Sequence, residues 1–230
     1  MKKYAIIVAG GSGTRMGGDI PKQFMNIGGR TILVRTVEAF LSAFNGDIDI
    51  VLVLPEAHVD MWGECCARDN FDADSVKIAF GGQTRFHSVK NGLTLVKSLS
   101  CGNDDALIGI HDGVRPLVSN ETIIEAYSTA EAKGTAIPVI DSVDSIRSIG
   151  CDGESKAEDR SKFKLVQTPQ TFRLSVISSA YDLEYKDTFT DDASVVEANG
   201  VKITLSKGNR ENIKMTTPFD LIVAEALLRQ

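Results

Sequence analysis

Ala5-Ile6-Ile7-Val8-Ala9 runs into Gly10-Gly11-Ser12-Gly13-Thr14-Arg15-Met16, and Pro21-Lys22-Gln23 follows shortly after. The reading of the whole chain turns on this stretch. A β-branched apolar run predicts a strand. The glycines behind it let the backbone turn tightly and bring its N–H groups close to an anion. Arg15 and Lys22 add two fixed cations to the same loop, so the segment predicts a grip on a polyphosphate. Two familiar nucleotide fingerprints fail here. A G-x-G-x-x-G counted from Gly11 meets Met16 where its third glycine belongs, and no acidic residue stands about twenty residues further on. A phosphate loop counted from Gly13 to Gly18 meets Asp19-Ile20 in place of Lys-Ser or Lys-Thr. What remains is a glycine loop with Thr14-Arg15 and a proline that pre-sets the approach of Lys22. That set suits nucleotidyl transfer, in which charge developing on phosphorus needs fixed cations rather than a covalent nucleophile.

Outward from the loop, short apolar runs alternate with amphipathic segments. Residues 4–9 and 49–54 are nearly continuous in apolar character, as strands buried on both faces of a parallel sheet must be. Further strands are expected at 76–80, 106–110, 134–139 and 201–205. Helices are expected at 31–44, 57–69, 84–97, 120–133, 174–184, 191–199 and 217–229, with Asn120 as an N-cap. This order predicts an α/β fold with a doubly wound, mostly parallel, Rossmann-like sheet, and ligands bind such sheets beyond the C-terminal strand ends. The glycine loop, Gly81-Gly82 and His111-Asp112 each follow a strand and should gather at one edge. The polar stretch 141–166 breaks the rhythm. Apolar residues on both sides of Gly150-Cys151-Asp152-Gly153-Glu154 predict a projecting hairpin. It is either a mobile surface insertion or an arm that packs against another subunit.

With 230 residues the chain has room for one α/β domain spanning 1–230, with that arm as its appendage. A formal charge of −6 argues against nucleic acid and anionic membrane as partners, but leaves room for anionic small molecules. No apolar run reaches the ~20 residues a membrane helix needs. Met1-Lys2-Lys3 precedes too short an apolar stretch for a signal peptide, so a cytoplasmic location is expected. Cys65, Cys66, Cys101 and Cys151 form no metal or disulfide framework, and His58, His87 and His111 suggest no zinc cluster. Trp62 reads as packing. Thr190-Asp191-Asp192-Ala193-Ser194 reads as a capped helix start enriched in acids rather than a metal cluster.

Several motifs in order carry a family resemblance. The opening loop with Pro21-Lys22-Gln23, then Gly81-Gly82-Gln83-Thr84-Arg85-Phe86-His87-Ser88-Val89, resembles the cytidylyltransferases that make 4-diphosphocytidyl-2-C-methyl-D-erythritol from CTP and the 4-phosphate. So do His111-Asp112-Gly113-Val114-Arg115-Pro116, Thr168-Pro169-Gln170, Thr190 to Ser194 and Asn212-Ile213-Lys214. The resemblance extends over nearly the whole chain. It implies that Arg15 and Lys22 stabilise charge on the α-phosphate of CTP as pyrophosphate leaves. It implies too that Ala9, Gly10, Gly11, Ser12, Gly13, Gly82, Gln83 and Ser88 form the CTP site. Asp112 would contact Mg²⁺ or its water shell, against the plain alternative of a turn or helix cap. Arg115 would reach the sugar phosphate, with surface ion pairing as its alternative. Arg160 and Lys214 would orient the incoming phosphate, with Arg160 on an arm that packs against a second subunit in a homodimer. The family's threonine at the base of the arm has two counterparts: local pattern favours Ser145 and spacing from Pro138 favours Ser142. A D-ribitol 5-phosphate acceptor is the nearest rival reading. Uridylyl or thymidylyl transfer to a hexose 1-phosphate shares only the opening loop. An inactive nucleotide-binding module would have lost site cations that are all present here.

Overall fold

The computed structural model describes residues 1–10, 20–101 and 105–229. Gly11, Ser12, Gly13 and Arg15 therefore lie outside the described residues. The chain runs β1 (Lys2–Val8), β2 (Asn26–Ile27), β3 (Arg30–Thr31), α1 (Ile32–Ala43), β4 (Asp49–Leu54), α2 (Val59–Arg68), β5 (Val76–Phe80), α3 (Arg85–Leu99) and β6 (Ala106–Asp112). It continues through α4 (Asn120–Lys133), β7 (Thr135–Asp141), β8 (Ile146–Ile149), β9 (Ser155–Glu158), β10 (Lys164–Val166) and β11 (Gln170–Arg173). The last elements are α5 (Leu174–Ala180), α6 (Asp192–Ala198), β12 (Leu205–Lys207) and α7 (Pro218–Leu228).

The main sheet has the order β10-β7-β11-β6-β1-β4-β5, with β12 added alongside β7. β1, β4, β5 and β6 pair in parallel, and β12 runs parallel to β7. The apolar runs have a direct physical consequence. Alternate residues of a strand face opposite sides of the sheet, and here both sides are covered. Ala5, Ile7, Ile50, Leu52 and Leu54 pack with α1, α2 and α4 residues such as Val37, Phe40, Trp62 and Tyr127. Tyr4, Ile6, Val51 and Val53 pack on the other side with Val89, Leu93 and Val96 of α3 and with residues of α5 and α6. Trp62, nearly sealed, meets Phe71 edge to face, as expected of a packing residue. Each aliphatic side chain fully buried in this way contributes roughly 1.5–3 kcal/mol relative to exposure.

Three features differ from the sequence reading. β11 is a four-residue strand lying antiparallel between β6 and β7, and β10 is antiparallel to β7. Gln170 and Arg173 at its ends give it no apolar run to betray it. The last strand is Leu205–Lys207 rather than 201–205, because Val201 and Ile203 pack against the core while the pairing with Ile137–Val139 begins at Leu205. The cap of α4 is Ser119, whose hydroxyl accepts the Thr122 N–H at 3.2 Å; the Asn120 amide instead donates to Ser42. The hairpin inside 141–166 is present as β8 and β9, paired Ile146↔Glu158 to Ile149↔Ser155, but its second strand is the polar Ser155–Glu158, while the apolar Leu165 and Val166 expected there fall in β10 and pair with β7. None of the described helices is long and apolar enough to cross a membrane.

Gly109 marks the tightest point of the central strand. A Cβ there would lie 2.4 Å from Tyr127 Oη, whose hydroxyl donates to the Tyr4 carbonyl and accepts the Gly109 N–H. Overpacking a sealed site costs about 1–3 kcal/mol, and Gly109→Ala would also displace a doubly bonded hydroxyl. Urea unfolding should show this variant destabilised by at least that amount, with an unchanged midpoint contradicting the packing described.

Candidate functional site

β1, β5 and β6 end at the same edge. There Val8, Ala9, Gly10, Gly82, Gln83, Ser88 and Asp112 line a cavity of about 290 Å³ with Lys22, Gln23, Thr84, Arg85, Val114 and Lys214. The strand ends are tied together before any ligand arrives. The Ala9 N–H donates to Val53 O, Gly81 N–H to Leu54 O and Gly113 N–H to Val8 O. The buried Gln23 amide donates to Ala9 O at 3.0 Å, which pins the short 3₁₀ turn Lys22–Phe24 beside the strand end. On the far wall the Gly82 N–H donates to Ser88 Oγ, and that hydroxyl donates to Thr84 O. Gly82 cannot be replaced without movement, since a Cβ would sit 2.4 Å from that of His87.

A second cavity of about 330 Å³ lies alongside. Arg115, Val166, Gln167, Thr168, Gln170, Thr190 and Asp191 line it, and it shares Arg85, Asp112 and Lys214 with the first. Those three residues form the common wall. Asp112 Oδ2 receives Arg115 Nε at 3.0 Å and Lys214 Nζ at 3.1 Å, while Oδ1 faces Arg85 Nε at 3.8 Å. Burial pushes this carboxyl's pKa up, but Arg85, Lys214 and Arg115 outweigh burial and hold it well below the usual carboxylate range. Arg115 is itself fixed by a bond to Asn212 O at 2.8 Å, and the buried Asn212 amide donates to Thr168 O.

Next to Asp112 the fully buried His111 completes a short relay. His111 Nε2 lies 3.1 Å from Arg115 O, an acceptor only, so this nitrogen carries the proton. Nδ1 is then the acceptor for Thr168 Oγ1 at 2.9 Å, and the same Thr168 oxygen accepts the Asp112 N–H at 3.1 Å. Burial lowers the imidazole pKa to about 4, consistent with a neutral ring near pH 7.

Of the residues singled out from sequence, Ala9, Gly10, Lys22, Gly82, Gln83, Ser88, Asp112, Arg115 and Lys214 come together in these cavities. Arg160, Ser142 and Ser145 do not line either one. Arg160 begins a 3₁₀ turn after β9 and its guanidinium donates to Val143 O; Ser142 Oγ donates to Asp144 O at 3.2 Å. Asp191 caps α6 in a reciprocal box with Ser194, as the acidic start predicted. Asp192 does something the sequence reading missed. It is sealed from solvent and takes both Arg85 Nη atoms, at 2.9 and 2.6 Å, with Tyr181 Oη at 2.6 Å. Arg85 was itself readable: it opens α3, where a cation opposes the helix dipole and so demands a specific partner.

Thr168 offers a clean test of the relay. Thr168→Val keeps the shape but strands the Asp112 N–H and His111 Nδ1. An unmet buried polar group costs about 1–3 kcal/mol, so chemical denaturation should show a loss in that range, and no loss would contradict the relay.

The sequence profile described as 2-C-methyl-D-erythritol 4-phosphate cytidylyltransferase matches residues 4–230. Proteins of that name from Phocaeicola vulgatus and Bacteroides thetaiotaomicron are 52% and 49% identical over 228 residues, covering 99% of this chain and 100% of each relative. Among solved structures, 4-diphosphocytidyl-2C-methyl-D-erythritol synthase from Anaerococcus prevotii superposes with a TM-score of 0.81 at 28% identity, covering 99% of this chain and 98% of that one. The 2-C-methyl-D-erythritol 4-phosphate cytidylyltransferase of Thermus thermophilus gives 0.73 at 29% identity, with both chains fully covered. With the profile spanning nearly every residue and relatives matched end to end, the chain belongs to the 2-C-methyl-D-erythritol 4-phosphate cytidylyltransferase family.

Proposed function

We propose that this chain transfers the cytidylyl group of CTP to 2-C-methyl-D-erythritol 4-phosphate and releases pyrophosphate, a step of isoprenoid biosynthesis. The observation that carries the reading is the pair of cavities with a common wall of Arg85, Asp112 and Lys214. Transfer between two bound molecules needs such a junction, with the reacting atoms held about 3–3.5 Å apart. In this reading CTP occupies the cavity closed by Gly10, Gly82, Gln83 and Ser88, and the polyol phosphate occupies the one beside Arg115 and Thr190. An oxygen of the acceptor phosphate attacks the α-phosphorus, and the bond to the departing pyrophosphate breaks. The acceptor is already anionic near neutral pH, so no strong general base is needed. Lys22 stabilises charge on the α-phosphate, with Arg15 in the same role, and Lys214 steers the attacking phosphate.

A divalent ion fits this wall in one mode. Among the described residues no group of three or more His, Cys, Asp or Glu side chains is placed to cage a metal. Mg²⁺ at phosphates, however, keeps several waters and uses one or two carboxylates. Asp112 Oδ1, whose ion pair with Arg85 is long at 3.8 Å, is suited to that service. Mg²⁺ held by Asp112 and the phosphates would supply positive charge to the leaving pyrophosphate.

The arm supplies the remaining part. Val143, Ile149, Phe163, Leu165 and Val166 are exposed around the hairpin and its base, an apolar surface suited to a second copy of the chain. Arg160 lines neither cavity of its own chain, which supports the reading that it serves the site of its partner in a homodimer. The base of the arm also holds Ser142 and Ser145 as candidate acceptor contacts.

Pyrophosphate release, measured over CTP, UTP and ATP against the erythritol phosphate and D-ribitol 5-phosphate, with and without Mg²⁺, tests the reaction. CTP with the erythritol phosphate and Mg²⁺ should be fastest; faster turnover of ribitol phosphate would overturn the acceptor. Lys22→Ala should lower kcat about 10²–10³-fold with the fold intact. Shared sites predict complementation. Mixed Lys22→Ala and Arg160→Ala protomers, each inactive alone, should recover about a quarter of wild-type turnover, since half the dimers regain one site each. No recovery would place Arg160 in its own chain's site.

A further inference from the structure

Three cations meet Asp112, and they are not equally free to leave it. Lys214 is 43% exposed and ends in one flexible ammonium. Arg115 is fixed on Asn212 O. Arg85 is fixed more strongly still, because both of its Nη atoms are committed to the sealed Asp192, which Tyr181 also holds. Helix α3, the first residue of α6 and the residue just after α5 thereby set one orientation of the guanidinium plane. With the Nη pair so bound, the Nε edge of the rigid fork faces Asp112 Oδ1. The 3.8 Å separation leaves an ion pair without a hydrogen bond, a fixed charge rather than a donor that could follow a moving ligand.

We propose that Arg85, clamped by Asp192, is a positioning residue that holds Asp112 at the junction of the two cavities and keeps it compensated when Lys214 leaves for the phosphate. The proposal rests on the two-substrate reading above. An anionic ligand entering either cavity competes for Lys214, because both cavities include it in their lining. If Lys214 were the main counter-ion of Asp112, its departure would leave a buried carboxylate undercompensated, which is strongly unfavourable. Two immobile guanidiniums on Asp112 remove that obstacle within the protein itself, independently of any divalent ion that arrives with the phosphates, so the mobile ammonium can serve the transfer. Arg85 thus acts through Asp112 and Lys214 on a bond it need not touch.

Two variants test this in the pyrophosphate assay. Arg85→Lys keeps one charge but cannot span two carboxylates. The double variant Arg85→Met with Asp192→Leu replaces the ion pair with apolar groups, an exchange that often preserves stability. Both should remain folded by circular dichroism and thermal unfolding. In both, kcat should fall at least about tenfold while the KM for each substrate stays within about threefold. A purely structural pair predicts otherwise: the stable double variant would turn over normally. Wild-type-like kcat in either variant, a loss confined to KM, or failure of both variants to fold would overturn the proposal. Wild-type turnover in the same assay separates the two readings. An inactive wild type overturns both, whereas an active wild type with an unimpaired variant overturns only the role of Arg85.

Discussion

Asp112 ends the central strand β6 nearly sealed from water, and cations from α3, from the turn after β6 and from the loop before α7 converge on its carboxylate. Magnitudes decide whether such a group stays charged. Taking a carboxylate out of water costs several kcal/mol even after relaxation. One unit charge at 4 Å returns roughly 4 kcal/mol at an effective dielectric near 20. Arg85, Lys214 and Arg115 together outweigh that cost, with Arg85 the largest contributor and Arg115 adding a hydrogen bond at 3.0 Å. Lys214, the most exposed of the three, is the one whose charge solvent can reach most readily. Asp112 therefore remains an anion, and an anion at this place organises the cations that a polyphosphate needs.

The sheet is what allows a charge to be held there. All seven residues of β6 are buried, with β1 on one side and β11 on the other. A strand so enclosed cannot shift its register without turning apolar side chains toward the wrong face. The hydroxyl of Thr168, just before β11, clips the backbone of Asp112 and the ring of His111 at once. Asn212 ties the loop of Lys214 to the same segment. The short antiparallel β11 thus joins the second cavity to the central sheet, although it looks like a minor insertion.

The legibility of each part followed from the range of the interactions that make it. Strands β1 and β4 were plain in the sequence because burial on both faces demands an unbroken apolar run. Residues 120–133 were recognisable as a helix to the residue, although its cap lies one position earlier, on Ser119. β11 was not legible, since its pairing partners supply the reason for its existence and its own side chains supply almost none. The glycine loop, Gly82 and Asp112 stand in motifs that follow strand ends, and the fold does bring strand ends together, whereas Ser88, Arg115 and Lys214 were marked by the family resemblance. Asp192 was passed over as a helix-start acid. Its partner stands 107 residues away on α3, a separation that no local pattern encodes.

Charge economy explains the chemistry better than any single side chain does. The chain as a whole is acidic at −6, yet Lys22, Arg85, Arg115 and Lys214 gather at the two cavities, with Asp112 and Asp192 as the carboxylates paired to them there. An acidic surface discourages non-specific polyanions, while the local excess of positive charge attracts a small anion to one place. A phosphate attacking a phosphate is opposed first by repulsion between like charges, and a general base would do nothing to relieve it. In the proposed reading, Arg85 and Arg115, held in advance at the junction, lower that repulsion, and only Lys214 moves to meet the phosphate. The same cations would repel one another in the empty site. Asp112 answers that constraint by standing among Arg85, Arg115 and Lys214, and Asp192 adds to it by taking both Nη atoms of Arg85, so the three cations stand close together before any ligand arrives.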